Sequence, residues 1–250
     1  MSKIVFVCTK DRKQRPKFDK EVKILSRRLA PDNISPRPPK IISNYGVSIA
    51  IFNPAESLPI RNYSVCMGTF WGTQKNWWRP MAGIPDGSYA LFRSDENKVE
   101  LITDIVGSRT IWYVQTEDAF IASTSQRAIV FFLQDFQPNE EAFSWMLSSG
   151  TLGPGLSWDK RIHSLEGNAR LILDRSSWET EIKKEKVIYE PVDLPDEEHE
   201  IRLKKAMEET FDNLSIDFSK WILPLSGGFD SRAILLMLKN RQGQSRHLGP

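Results

Sequence analysis

The sequence predicts two kinds of fold in one chain: an α+β region over residues 1–190 and the opening of an α/β region over residues 191–250. Before residue 190, short runs of β-branched and aromatic residues alternate with turn residues, which is typical of antiparallel strands. After residue 190, a polar helix is followed by an apolar run, a glycine-rich turn and an apolar helix. That order of elements opens a doubly wound α/β sheet, so we expect two domains.

The composition is that of an ordinary globular protein. The chain has 250 residues, of which 40% are hydrophobic and 26% charged, and its formal net charge is +2. A charge this small does not argue for nucleic acid or for an anionic membrane, and we expect neither as a partner. No apolar run approaches the roughly 18 residues of a membrane span, and the apolar N-terminal stretch is too short for a signal peptide, so we expect a cytoplasmic protein.

The cysteines and histidines offer little reactive chemistry. Cys8 and Cys66 each lie in a strand-like apolar run. The two cysteines can be interpreted either as buried free thiols or as a disulfide, and a reducing cytoplasm favours the free thiols. The three histidines show no metal-ligand spacing, so we predict no metal site built on them.

The first 80 residues combine strands with a basic, proline-rich stretch. Strands are predicted over residues 4–8, 45–52 and 63–71. The prolines and basic residues of the stretch 10–40 predict a loop that contains a short helix near 18–29. Trp77 and Trp78 follow the third strand, and a tryptophan pair is more often a core plug than a ligand platform.

A meander and two helices follow. Strands are predicted over residues 87–92, 98–103, 109–114 and 119–123, and later over 169–174 and 181–188. Helices are predicted over 125–133 and 139–147, where Gly150 stops the second one. A long helix over 196–214 begins with Asp196 as its predicted cap. Its inward stripe would consist of Ile201, Met207, Phe211 and Leu214.

The most informative stretch is the loop at 226–231, between a predicted strand over 221–225 and a predicted helix over 231–240. Amide groups at a helix N-terminus attract anions, and two adjacent glycines let a phosphate approach the backbone. Ser226 and Ser231 add hydroxyl donors, and Asp230 or Ser231 can cap the helix. The loop has no lysine, which excludes a Walker A motif. An ordinary strand–turn–helix corner is the alternative interpretation.

The same loop resembles the S-G-G-x-D-S signature of the PP-loop ATP pyrophosphatases. Three further stretches resemble asparagine synthetases of the glutamine-hydrolysing type. These are residues 85–92, similar to "D-G-x-F-A-F", residues 103–113, similar to "R-D-x-x-G-x-x-P-L-Y-Y", and residues 120–129, similar to "F-A-S-E-x-K-A-L". Residues 147–173 resemble a later passage of that family, so that the resemblance runs from about residue 85 to 240.

The resemblance implies an architecture and an activity. Residues 1–190 would form an Ntn, or class II, glutamine amidotransferase-like domain, with two antiparallel sheets between helices, and 191–250 the incomplete beginning of an ATP pyrophosphatase domain. The family adenylates a carboxylate with release of pyrophosphate and transfers it to ammonia or an amine, as in asparagine biosynthesis. ATP and Mg²⁺ are the implied cofactors. The implied partners are a small-molecule or peptide carboxylate and ammonia or an amine. A homodimer is a further possibility that the resemblance leaves undecided.

The resemblance also assigns residues to the site. Ser226, Gly227, Gly228, Asp230 and Ser231 would form the pyrophosphate loop, with Asp230 close to the magnesium-bound phosphates. The chemistry of the residues themselves agrees with these roles. Backbone amides and serine hydroxyls would neutralise the triphosphate, and magnesium would supply the charge of the absent lysine.

Two departures from the family predict that glutamine is not hydrolysed. The family's nucleophile is a cysteine directly after the initiator methionine, and here Ser2 stands at that position, a weaker nucleophile, while Cys8 is internal. Met67 replaces the family's glutamine-binding asparagine, and the stretch up to Asp86 is shorter. Relatives without glutaminase activity, such as β-lactam synthetases and lasso-peptide macrolactam synthetases, use an amine from the substrate.

Three functions follow as hypotheses. The first is an ATP-dependent, carbon–nitrogen bond-forming ligase, active if the intact protein is longer. The second is a catalytically inactive remnant or interaction module, because a pyrophosphatase sheet needs about five parallel strands and this chain supplies one. The third is another PP-loop chemistry, such as sulfate reduction or tRNA modification, against which the meander argues.

Overall fold

A computed structural model describes residues 2–13, 19–30, 33, 35–44, 46–72, 74–214 and 222–245. The chain divides into two compact units. The first consists of residues 1–70 with 74–188, and the second of residues 71–73 with 189–250. None of the helices within the described ranges is long and apolar enough to cross a membrane.

The first unit contains two six-stranded sheets in which every pair is antiparallel. The first sheet has the order β10 (His163–Leu165), β8 (Ile111–Gln115), β9 (Ala119–Ser123), β1 (Lys3–Thr9), β3 (Val47–Phe52) and β2 (Lys40–Asn44). The second sheet has the order β12 (Glu179–Lys184), β11 (Ala169–Asp174), β7 (Lys98–Thr103), β6 (Gly87–Ser94), β5 (Ser64–Phe70) and β4 (Ile60–Arg61).

This architecture confirms the predicted α+β class for the first region, with antiparallel sheets and helices. The predicted meander strands form within a few residues of their expected bounds, because each has alternating or continuous apolar residues between clear turns. Three short strands were not predicted, namely β2, β4 and β10. β2 begins at Lys40, the last residue of the stretch predicted as loop, and its other residues had no predicted structure. Tyr45, the predicted first residue of the strand that becomes β3, lies outside the described residues.

The main core lies between the two sheets. Phe6 of β1 and Phe92 of β6 are fully buried, and their stacked rings have centroids 6.3 Å apart. Leu101 and Leu171 of the second sheet join the same cluster. Because alternate residues of a strand point to opposite faces, the other faces of both sheets need separate cover.

Helices α1 (Asp19–Leu29) and α2 (Gln126–Leu133) cover the outer face of the first sheet. Val22 and Leu25 of α1 pack with Ile129 of α2 against strand residues such as Val5. Helix α3 (Glu140–Ser149) begins at Asn139, whose side chain accepts a hydrogen bond from the Ala142 amide, and it ends at Gly150 as predicted.

The segment between β5 and β6 covers the outer face of the second sheet. Trp77 packs with Phe70 against Tyr89 and other buried residues of this face, so the predicted core role of Trp77 is confirmed. Among the described residues, this apolar cluster includes none from a helix, whereas the resemblance implies helices over both sheets. The physical reason is that the short segment fills the space with tryptophan and with backbone carbonyls.

Buried charges fix that segment to the sheet. Arg93 and Glu100 are fully buried and form an ion pair with an N–O distance of 3.2 Å. Arg93 also donates to the carbonyls of Ala82 and Gly83. Arg170 approaches the other Glu100 oxygen at 3.0 Å, although the angle is not that of a hydrogen bond. One carboxylate thus serves two guanidinium groups, which also hold the covering segment by its carbonyls.

The second unit contains two helices, α4 (Asp196–Asp212) and α5 (Phe229–Ser245). Two sequence predictions fail in this unit, and a third holds only in part. Pro195 rather than Asp196 precedes α4 as its cap residue. Of the predicted inward stripe, Met207, Phe211 and Leu214 are half-buried, whereas Ile201 is 65% exposed, and α4 has no fully buried residue. Residues 222–225 form no strand, because they have no neighbouring strand to pair with among the described residues, and Trp221 lies outside these. The predicted α/β sheet is therefore not present in the described part of the chain.

Candidate functional site

The glycine-rich loop forms a tight turn that leads directly into α5. Gly227 adopts a φ of 80°, in the left-handed region that favours glycine, and the helix begins at Phe229. The Ser226 hydroxyl accepts a hydrogen bond from the Gly228 amide at 3.4 Å. The local sequence alone explains this geometry, since a serine two residues before an amide commonly closes such a turn.

The helix starts two residues earlier than the sequence predicted, which corrects the predicted cap. Asp230 and Ser231 lie inside the first helical turn rather than before it. Asp230 is still favourable there, because a carboxylate stabilises a helix N-terminus. Ser231 is buried, and its hydroxyl donates to the Gly228 carbonyl at 3.3 Å and lies 3.3 Å from the Ser226 hydroxyl.

The space in front of the loop is open. A Cβ atom placed on Gly227 would meet nothing within 4 Å, and one on Gly228 would meet the Ser226 hydroxyl at 3.4 Å. The first amides of a helix have no acceptor within it and point outward. The structure therefore brings Ser226, Gly227, Gly228, Asp230 and Ser231 together around one helix start, which can accept an anion from solvent.

The charges near the loop are few. The Arg232 guanidinium donates to the Gly228 carbonyl at 3.2 Å and lies over the Phe229 ring at 4.7 Å from its centroid. Arg232 therefore stabilises the turn instead of pointing at the open side. No group of three or more acidic, histidine or cysteine side chains that could hold a metal ion occurs in the described part of the chain. A cation at this loop would have to be held mainly by the anion itself.

The hydroxyl of Ser2 is engaged in the structure of the sandwich. It donates to the Asn53 carbonyl at 2.8 Å and accepts from the Ala55 amide at 3.1 Å. Both bonds tie the beginning of β1 to the turn that follows β3. The hydroxyl therefore uses its one donor and one of its acceptor sites in hydrogen bonds to the backbone. These bonds give Ser2 a structural role that requires no catalytic function.

Met67 and the two cysteines are part of the packed interior. Met67 is 2% exposed and belongs to the core between the sheets, away from solvent. Cys8 and Cys66 are buried free thiols, as predicted. Burial raises the pKa of both thiols, against the opposing effect of nearby arginines, so neither is an activated nucleophile.

A small cavity lies at the end of the sandwich opposite Ser2. Its volume is about 200 Å³, and Asn44, Val47, Tyr63 and Arg175 are among the residues that line it. Val47 pairs with Cys8 at the far end of β1, whereas Lys3, next to Ser2, pairs with Phe52. Sequence reasoning did not find this cavity, because the residues that line it come from four separate turns and share no motif.

Comparison with known proteins leaves the family open. No protein-family model matches the chain, and no curated protein sequence matches it. Among solved structures, it is similar to the glutamine phosphoribosylpyrophosphate amidotransferase from B. subtilis complexed with ADP and GMP, with 11% identity and a TM-score of 0.32. The match covers 56% of this chain and 35% of that one, about a third of its length. At this level the likeness carries no argument about function.

Proposed function

We propose that the loop at 226–231 binds the terminal phosphates of ATP, and that the chain is an ATP-dependent amide-forming ligase similar to asparagine synthetases. It would adenylate a small-molecule or peptide carboxylate and transfer the acyl group to ammonia or an amine. The observation that carries this proposal is the loop itself: a left-handed Gly227 beside Gly228, two serine hydroxyls and an open helix start.

Each loop residue has a physical role in the proposal. The amides of the first turn of α5 would donate to phosphate oxygens, and the Ser226 and Ser231 hydroxyls would turn from each other toward them. Gly227 and Gly228 leave room that a side chain would occupy. Asp230 is the nearest carboxylate to this position in the sequence and fits a water-mediated contact to magnesium on the phosphates. Magnesium, when bound, would supply the positive charge that lysine gives in other phosphate loops.

We further propose that residues 1–190 are an amidotransferase-like scaffold without glutaminase activity. The Ser2 hydroxyl is already bonded to two backbone groups, and Met67 is buried in the core. Neither observation leaves a nucleophile beside a glutamine pocket. The amine would then be free ammonia or part of the substrate.

The second candidate function is an inactive remnant or interaction module. The absence of a strand at 222–225 favours it, as does the exposure of apolar residues of α5 such as Leu236, which is 61% exposed. The two candidates differ in one measurable property, since only the ligase needs affinity for magnesium-bound phosphates.

The test is calorimetric titration of the chain with magnesium pyrophosphate and with magnesium ATP. We expect saturable binding that Gly227→Val abolishes, because the new side chain fills the phosphate position. Gly155→Val is the matched control, since Gly155 also has a positive φ, of 71°, and open space where a Cβ would lie. Absent binding in the unaltered chain, or equal binding in both variants, would contradict the loop assignment.

A chain that passes this test can be screened for ATP–pyrophosphate exchange with aspartate and with peptide carboxylates. The scaffold proposal is tested by incubation with glutamine, ATP and magnesium, and we expect no release of glutamate. Glutamate release that Ser2→Ala eliminates would show that Ser2 is a nucleophile after all.

A further inference from the structure

Helix α1 presents a basic face to solvent. Val22 and Leu25 face the first sheet, whereas Lys20, Lys23 and Arg27 are exposed on the opposite side. Their spacing of three and four residues places the three charges in one row along the helix. We call these three residues the basic face. Within the described part of the chain, none of them has a carboxylate within 4 Å.

The basic face belongs to a wider separation of charge along the chain. Residues 1–44 hold 12 lysines and arginines but only four acidic residues, although the net charge of the whole chain is +2. Lys10, Arg12 and Lys13 in the turn after β1 are also exposed. The small net charge therefore hides a strongly positive region and a negative remainder. Such a surface attracts a negatively charged partner.

The negative counterpart lies between residues 190 and 200. This acidic segment has no lysine or arginine, and all six of its carboxylates are exposed: Glu190, Asp193, Asp196, Glu197, Glu198 and Glu200. Three of them stand in the first turn of α4, where the helix dipole already favours them. The helix dipole does not account for Glu190, Asp193 and Glu200, which lie outside that first turn.

We propose that the basic face of one copy of this chain binds the acidic segment of a second copy, in a reciprocal twofold dimer. The charges are complementary, both surfaces are exposed, and a twofold axis uses each of them once per copy.

The proposal has a distinctive dependence on salt. Exposed charge pairs are individually weak and are screened over roughly 10 Å at 0.1 M salt but over roughly 3 Å at 1 M. The dimer therefore needs several pairs acting together, and it should dissociate as the salt concentration rises. A dimer held by an apolar interface would show the opposite trend or none.

The experiment is sedimentation velocity of the full chain in 20 mM and in 500 mM sodium chloride. We expect a dimer in the first and a monomer in the second. The variant Lys20→Glu/Lys23→Glu/Arg27→Glu reverses the basic face, and Asp193→Lys/Glu197→Lys/Glu200→Lys reverses the acidic segment. Each variant alone should dimerise at least about tenfold more weakly at low salt. An equimolar mixture of the two variants should restore a dimer, because each then offers the charges that the other lacks.

Lys75→Glu/Lys160→Glu/Lys183→Glu is the matched control, since it changes the net charge equally at exposed lysines elsewhere in the chain. It should leave the dimer unchanged. Circular dichroism of all variants checks that the fold is retained. A monomer at both salt concentrations, a dimer that survives either reversal, or a monomer that instead binds a single-stranded RNA oligonucleotide would overturn the proposal. These outcomes are independent of the ATP proposal, because no loop residue is altered.

Discussion

The two compact units differ in how they hold their shape. In the first unit, apolar residues such as Phe6, Phe92 and Leu101 are fully buried between two sheets. In the second unit, Ser231 is the one buried residue within the described stretches 189–214 and 222–239. The sandwich is thus stabilised by a core, whereas the loop at 226–231 keeps its form through hydrogen bonds within itself. Secondary structure of equal regularity can therefore rest on very different tertiary support.

The largest expected difference is in amide hydrogen exchange. Residues 229–239 of α5 should exchange at least roughly a thousandfold faster than the meander at 87–123, because exchange from a helix without a core requires only local opening. Exchange followed by NMR or by mass spectrometry of peptic fragments measures this directly. Equal protection of the two stretches would mean that α5 has a core of its own in solution.

A matched pair of truncations sharpens the comparison. Phe92→Ala should cost about 3–5 kcal/mol of unfolding free energy, because it leaves a cavity between the sheets. Leu236→Ala should cost less than about 1 kcal/mol, since Leu236 is 61% exposed. Urea unfolding followed by circular dichroism gives both values. A large loss from Leu236→Ala would show that unit two is more tightly packed than its exposed residues indicate.

The buried ion cluster provides the next contrast. Glu100→Gln should cost about 3 kcal/mol, because Arg93 and Arg170 would lose their shared counter-charge in a buried site. Glu181→Gln is the control, since Glu181 forms an exposed ion pair with Lys183 and should change stability by less than about 0.5 kcal/mol. Thermal unfolding at two scan rates measures both. Similar stability of the two variants would argue that covering the second sheet does not depend on this cluster.

The smallest effect is a dependence on acid at Asp159. Burial alone would raise the pKa of this carboxyl, but hydrogen bonds from the Arg161 side chain and from the Gln137 and Arg161 amides hold it below its ordinary value. A lowered folded-state pKa stabilises the fold above the unfolded pKa of about 4 and less as pH falls below it.

Asp159→Asn should therefore cost about 1 kcal/mol at pH 7, and the difference from the unaltered chain should shrink between pH 4 and pH 2.5. Urea midpoints at several pH values measure the trend. A difference that stays constant over this range would mean that protonation of Asp159 does not contribute.

The sequence predicted the first unit well and the second poorly for one physical reason. Strands such as β6 and β7 carry their own apolar pattern and turn, so local information suffices. The strand predicted over 221–225 depended on neighbours that the pattern itself does not supply. The loop residues at 226–231 meet at one helix start, since a short motif fixes its own geometry. The Arg93–Glu100–Arg170 cluster joins three strands, and residue spacing gives no signal for such a contact.

The position of β1 in the first sheet has a consequence for the order of folding. β1 is synthesised before its two partners, yet it lies between β3 and β9 and pairs residue by residue with both, from Lys3 opposite Phe52 to Thr9 opposite Ala119. Its second partner is therefore synthesised on the order of ten seconds later, at typical rates of translation. Until then, one edge of a strand whose residues 4–9 are all buried in the folded protein has no partner. The nascent chain thus has a period in which a chaperone, or the wrong strand, can occupy the place of β9.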